Sequence, residues 1–437
     1  MNVLTAVILS KGGHLFARLY NGVEPLGLGA LMDIQGLSLP RRTILRALSA
    51  LPGLGALGAC SAPQAAVEAA GADVIKRLGV RTFINAAGTY TTFTASLMPT
   101  EVFAAMANAS RQYVPLNELH DAVGNRIAEL TKNEAALVST GAASALSIGT
   151  AACVAGTDPD KIRRLPDTEG MANEVIFQKS HRFGYDHAVR NIGVKIVEVE
   201  TAAELDAAVN EKTAMMFFLN HEADVGQIGV EEFAALGKKH NVPTMIDAAA
   251  DVPPVENFWR FTEMGYSMVV FSGGKGIRGP QSAGLLLGRK DLIAAGRMNG
   301  SPNSDTVCRS NKVNKEELVG MLVALEMFLD QDHGAVWADW EGRCETISQA
   351  VKDVPGLTTE VQVPPIANHV PHLHLKWDYA ATGVSPRDAA TAMREGSPSI
   401  EVNPSTNDEE LVIGVWMMEP GDDAVVARRL SEVLAKA

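Results

Sequence analysis

The stretch FSGGKGIRGPQSAG, residues 271–284, sets one lysine, Lys275, among five glycines and a proline. It joins two apolar runs, SMVVFS (267–272) and AGLLLG (283–288), so it reads as strand, loop, strand. Two glycine motifs are excluded here. A P-loop would need glycine five places before Gly274, where Val269 stands, and Ser or Thr where Gly276 follows the lysine. Gly274, Gly276 and Gly279 spell GxGxxG, but that pattern has to open a helix, and Pro280 with the apolar run after it does not. A lone lysine in such a loop is often merely solvated. The ends of the other strands decide between that reading and a reactive amine.

Outward from this loop, short apolar runs alternate with helical patterns. AALVS (135–139), EVIFQ (174–178), VKIVEV (194–199), AMMFFL (214–219) and VPTMI (242–246) are separated by stretches such as VEEFAALGKKH (230–240). Alternation of this kind predicts an α/β fold, with a mainly parallel sheet covered by helices on both faces. An amphipathic helix is predicted near 314–330. HLHLKWD, SIEVNP and ELVIGVWM then read as strands of a smaller α+β C-terminal domain. The expected organisation is a leader over 1–60, an N-terminal segment over 61–125, a large domain over 126–300 and a small one over 301–437.

The 437 residues suffice for one large and one smaller core, and a hydrophobic share of 46% argues against disorder. The net charge of −13, without a long basic run, excludes the usual nucleic-acid footprint. Cysteines 60, 153, 308 and 344 are scattered without CxxC spacing, and no ligand set completes a metal site. Arg41 and Arg42 precede an apolar run that ends in LGAC at Cys60. This resembles a twin-arginine export signal with a lipobox, which implies an exported, periplasmic or membrane-anchored protein lipidated at Cys60. The alternative is an N-terminal helix with two surface arginines and a cytoplasmic chain. Met32 stands where a leader of ordinary length would begin.

In open α/β sheets ligands collect at the carboxyl ends of strands. Here VPTMIDAAAD ends a run with Asp247, LVSTGAASAL opens a helix at Gly141, MFFLN ends in Asn220, and EVIFQKSHR runs out to His181. An acid, a helix N-terminus free for phosphate, polar groups and a crowded lysine together suit pyridoxal 5'-phosphate.

INAAGTYTTFTASLMP, VSTGAASAL, VPTMIDAAAD and FSGGKGIRGPQSAGLLLGRKDLI resemble the fold-type-I pyridoxal-phosphate enzymes over roughly residues 72 to 435. The branch is that of selenocysteine synthase and D-glucosaminate-6-phosphate ammonia-lyase. The resemblance implies a seven-stranded sheet, Lys275 as the Schiff-base lysine and Asp247 as the partner of the pyridine nitrogen. It implies Gly141, Ala142 and Ser144 at the phosphate with Ser272 assisting, unless these small residues merely close a turn. His181 is implied to stack on the ring, or is a buried histidine held by hydrogen bonds. Asn220 is implied at the ring hydroxyl, or is an ordinary strand-end asparagine. Asn85, Tyr90, Arg278, Arg309 and Lys312 are candidates for the substrate. His372 and His374 alternate, so one is expected to face the core and the other the solvent.

The expected activity is a lyase of ammonia-lyase or dehydratase type. It would act on a 3-hydroxy or related amino acid, with the lysine ammonium, His181 or Tyr90 protonating the leaving group. Aminotransferase, racemase and selenocysteine-synthase-like transferase use the same lysine and aspartate, and an exported non-catalytic binding protein is the remaining alternative. An export leader disfavours the tRNA-linked reaction. A homodimer or larger homo-oligomer is expected, because this fold type completes its site with a second subunit and the 314–330 helix needs cover for its apolar stripe.

Overall fold

A computed structural model describes residues 4–11, 14–21 and 74–435. Arg41, Arg42, Met32 and Cys60, and with them the leader reading, lie outside the described residues. The chain divides into two compact units, Met1–Arg81 and Thr82–Ala437. In the first, β1 (Leu4–Lys11) and β2 (His14–Asn21) pair antiparallel.

The second unit holds the expected sheet. Its strands are β4 (Ala135–Ser139), β5 (Glu174–Gln178), β6 (Lys195–Val199), β7 (Thr213–Leu219), β8 (Thr244–Asp247), β9 (Met268–Ser272) and β10 (Gly284–Gly288). They lie in the order β4-β10-β9-β8-β7-β5-β6, and only β10 runs antiparallel to its neighbours. Alternation along each central strand supplies both faces. Met216 and Phe218 join Val269 and Phe271 in one core, while Met215 and Phe217 join Met268 and Val270 in the other. Each such fully buried side chain contributes about 1.5–3 kcal/mol.

The helix Gly141–Ala155 is built almost entirely of small residues, so it lies close against the sheet. A Cβ at Gly149 would stand 2.7 Å from the Met245 sulfur, which shows how close. The helix Lys315–Asp330 begins with a capping box between Asn314 and Glu317. Its Leu318, Met321, Leu325 and Phe328 are buried in the large core, and it packs on the helices Thr100–Ala109 and Leu116–Thr131. The apolar stripe expected to need a second subunit is therefore covered within the chain. The large core also runs past residue 300 to Phe328, and the small core begins in the helix His333–Val351.

That small core is built on β11 (Thr358–Gln362), β12 (His372–Lys376) and β14 (Glu410–Gly414), an antiparallel sheet, and on β13 (Ile400–Val402). β3 (Ile84–Ala86) pairs parallel with β13, so the early segment contributes to the small domain. In β12 His372 is buried while His374 is partly exposed and lies 3.2 Å from Glu410.

Candidate active site

The register brings the strand ends abreast. Leu219, Asp247 and Val270 are partners across β7, β8 and β9, and Ser139, Gly284 and Ser272 across β4, β10 and β9. Asn220, Asp247, Ser272 and the turn before Gly141 thus open on one edge, and Lys275 follows three residues after Ser272.

The loop carrying Lys275 owes its glycines to crowding by backbone. A Cβ on Gly276 would stand 2.2 Å from the Val252 carbonyl oxygen, and one on Gly274 would stand 2.4 Å from Gln281 Cα. Ser96 Oγ donates to the Gly274 carbonyl at 2.7 Å and pins the loop from the N-terminal segment. Arg278 holds a left-handed backbone at φ 56°. Its guanidinium donates to the Leu97 carbonyl at 2.9 Å and to Glu419 at 3.0 Å. The arginine therefore ties the loop to the small domain through Nε and one Nη2 hydrogen, while its Nη1 donors stay open among the described residues.

Electrostatics single out three groups. Burial pushes the Asp247 carboxyl up to about 6, against the pull of the Ala249 N–H at 3.0 Å and of the Lys275 ammonium. Burial likewise lowers the Lys275 amine, opposed by Asp247 and Asp251. Asp251 is 4% exposed, and its carboxyl is raised by burial, against hydrogen bonds from Asn220 and Ala367. Perturbed acids and an amine gathered at one edge are what a reactive site requires.

Lys275 lines a cleft of about 480 Å³ with Thr89, Thr91, Ser272, Gln281, Ser282 and Glu317. Glu317 accepts from Ser282 Oγ and, at 2.9 Å, from the Asn314 N–H, so the start of its helix is fastened to the far end of the lysine loop. At the adjacent edge Gly141 has φ 77°, and Thr140 provides no side-chain cap. Ser144 Oγ, one turn in, is buried without a hydrogen-bond partner. A helix N-terminus with free N–H groups and an unpartnered buried hydroxyl is suited to an anionic group.

Other expected residues are occupied elsewhere. His181 is fully buried, so it presents no face to a cleft. Its Nδ1 accepts from the Leu219 N–H at 3.1 Å, which leaves the proton on Nε2 for the Glu222 carbonyl at 3.1 Å. Burial lowers its pKa to about 4, so it is a neutral brace between strand ends and not a stacking group or an acid. Asn85 spends both amide atoms on its own turn, donating to Gly88 and Ala95 and accepting from Ala87 and Gly88. The Tyr90 hydroxyl donates to Asn403 at 3.2 Å, and burial raises its pKa. Arg309 and Lys312 are exposed on the segment that leads to the helix of Glu317.

Comparison with known proteins agrees with this geometry. The class-V aminotransferase model matches residues 167–315. The 5'-C-glycyluridine monooxygenase-decarboxylase of a Streptomyces species is 31% identical over 378 residues, 82% of this chain and 91% of its own. The chain belongs to this family of fold-type-I pyridoxal-phosphate enzymes. The D-glucosaminate-6-phosphate ammonia lyase of Salmonella typhimurium is 27% identical over 84% of this chain and 99% of its own. A solved structure of D-glucosaminate-6-phosphate ammonia-lyase superposes with a TM-score of 0.73 at 26% identity, covering 83% of this chain and 98% of that one. Serine palmitoyltransferase of S. paucimobilis, at 12% identity and a TM-score of 0.52 over 80% and 87% of the two chains, shares the fold alone. The enzyme's cofactor is pyridoxal 5'-phosphate.

Proposed function

We propose that this pyridoxal-phosphate enzyme is a lyase that eliminates a β-substituent from a 3-hydroxy or related amino acid, giving a 2-keto acid and ammonia. The half-buried Lys275, on the wall of the cleft and within the field of Asp247 and Asp251, supports the reactive amine. The likeness to the D-glucosaminate-6-phosphate ammonia lyase over nearly its whole length is what favours elimination. When bound, the cofactor withdraws electrons from the α-carbon of an amino substrate. Asp247 would hold a proton on the ring nitrogen, and Ser144 Oγ with the N–H groups at Gly141 and Ala142 would hold the phosphate, assisted by Ser272.

Lys275 supplies the base. Burial favours its neutral amine, which takes the α-proton and then returns it as an ammonium to the departing hydroxyl. With His181 enclosed and the Tyr90 hydroxyl bonded to Asn403, Lys275 is left as the acid among the three groups expected for that step. The water lost in elimination is regained on hydrolysis, so one substrate yields one 2-keto acid and one ammonia.

The test is a panel of 3-hydroxy amino acids with ammonia and 2-keto acid measured together. Equal amounts without an amino acceptor are expected. Dependence on an added keto acid would make the enzyme an aminotransferase, and loss of optical activity without ammonia a racemase. The 31% identity to a monooxygenase-decarboxylase favours a second reading, oxidative decarboxylation of an amino acid. Oxygen uptake matched by carbon dioxide release would select it.

A homodimer or larger homo-oligomer and export by the twin-arginine route belong to the same proposal. Exposed Leu97, Phe103, Tyr113 and Val114 offer apolar surface for a second copy. Sedimentation of an active monomer would remove the first. Unchanged fractionation after Arg41→Lys with Arg42→Lys would remove the second and favour the reading of residues 40 to 60 as a helix.

A further inference from the structure

Asp251 stands four residues after Asp247 and has work that the reaction above does not explain. Its Oδ1 accepts from Asn220 Nδ2 at 2.9 Å and from the Ala367 N–H at 2.9 Å. Ala367 belongs to the small domain's loop between β11 and β12. The next residue, Asn368, donates its N–H to the Ala250 carbonyl at 2.7 Å. Both Ala367 and Asn368 hold left-handed backbones, at φ 53° and 46°. For alanine that conformation is costly and persists only where the surroundings dictate it. Here it presents two successive N–H groups to one strand end of the large domain.

These polar bonds join the two domains at this strand end. A cavity of about 500 Å³ lies beside them, bounded by Asn220, Asp251 and Asn257 on one side and Pro365, Ile366 and His369 on the other. On its other flank Asn368 Oδ1 lies 3.5 Å from Thr89 Oγ1, and Thr89 lines the cleft of Lys275. The chain of contacts thus runs from Asp251 through the loop to the wall of the cleft.

We propose that Asp251 is a positioning residue, the large domain's half of a clasp that fastens the 364–370 loop and thereby fixes the Thr89 wall of the substrate cleft. The inference rests on the reading of Lys275 and its cleft as the active site. Charged and titratable groups that face the clasp are Asp247, Lys275 and His221, with Asp224, Arg260 and His369 along the cavity. Comparisons are therefore made at one fixed pH.

The experiment is hydrogen exchange of the full protein, with and without pyridoxal phosphate, for wild type, Asp251→Asn and Asp251→Ala. Asparagine keeps the acceptor and loses the charge, while alanine removes both. Exchange over residues 364–370 should rise roughly 10-fold in the first variant and 100-fold in the second, the loss expected for charge-assisted bonds. Exchange in the seven-stranded sheet should stay as in wild type. In Asp251→Asn the KM for the amino acid should rise more than kcat falls, while borohydride still traps the cofactor on Lys275. Wild-type exchange at 364–370 in both variants, or a rise spread evenly over the protein, would overturn the proposal. If wild type itself traps no cofactor on Lys275, the active-site reading fails, and the exchange result still decides the clasp.

Discussion

Asp247 and Lys275, one at the end of a parallel strand and the other just beyond the end of its neighbour, are pushed toward neutrality by the same burial. Each one's charge opposes that shift in the other. Neither group has reason to be so enclosed in a protein that uses its lysines only for solubility. Burial favours the neutral form of each group, while their mutual attraction favours the charged pair.

The amine is tested directly by Lys275→Ala. The variant should lose the cofactor adduct that borohydride traps in the wild type, and kcat/KM should fall by roughly 10³-fold or more. Mass spectrometry of the trapped peptide reads the first effect. Equal trapping in the variant would show that another lysine is modified.

Ser144 separates the phosphate from the ring. Its hydroxyl is buried and unpartnered, so Ser144→Ala should leave the apoprotein as stable as before or slightly more so. Affinity for pyridoxal 5'-phosphate should fall about 10- to 150-fold, the loss of one hydrogen bond to a charged group. Affinity for pyridoxal, which has no phosphate, should not change. Equal loss for both ligands in a fluorescence titration would move Ser144 away from the phosphate.

His181 is expected to matter for stability and not for chemistry. Replacing it by leucine strands the Leu219 N–H and the Glu222 carbonyl in the interior, at a cost of about 2–3 kcal/mol. A thermal midpoint several degrees lower should accompany retained cofactor absorbance. Because burial holds this histidine's pKa near 4, below the ordinary 6.5, its contribution is present above 6.5 and is lost as pH falls through about 4. The activity profile between pH 5 and 8 should therefore show no limb due to His181. A limb that vanishes in a histidine-free but folded variant would restore it as an acid.

Much of this was legible because it is local. Runs such as AMMFFL and MVVFS are apolar on both faces, so their strands and their place mid-sheet follow from composition, and Lys275 and Asp247 announce themselves as polar residues closing such runs. The capping box at Asn314 and Glu317 could have been found too, since NKEE carries its spacing. Asp251 could not be separated from Asp247, because its partner Ala367 lies 116 positions away and donates a backbone N–H that no side chain marks. Still longer separations hid the pairing of Ile84–Ala86 with Ile400–Val402 and the covering of the 315–330 stripe. For Asn85 the residue type suggested substrate binding, and only the geometry showed its amide spent on backbone groups of residues 87, 88 and 95.

The stability of the apoprotein should carry the signature of Asp247. Its carboxyl moves from 3.8 in the unfolded chain to about 6 in the folded one. A raised pKa means the folded state binds the proton more tightly, so the stabilising contribution is fully present below 3.8 and is lost as pH rises through about 6. The loss is on the order of 3 kcal/mol. Lys275 runs the other way: its lowered pKa contributes stability above 10.5 that is lost on descent through the folded value. Asp247→Asn removes the first effect while keeping the shape. At pH 4 the variant and the wild-type apoproteins should unfold at nearly the same denaturant concentration, and at pH 8 the variant should be the more resistant. Adding pyridoxal 5'-phosphate at pH 8 should reverse that order, since the wild-type carboxylate then gains a ring nitrogen to pair with. A stability difference that stays constant from pH 4 to 8 would mean that Asp247 is not the buried acid described here.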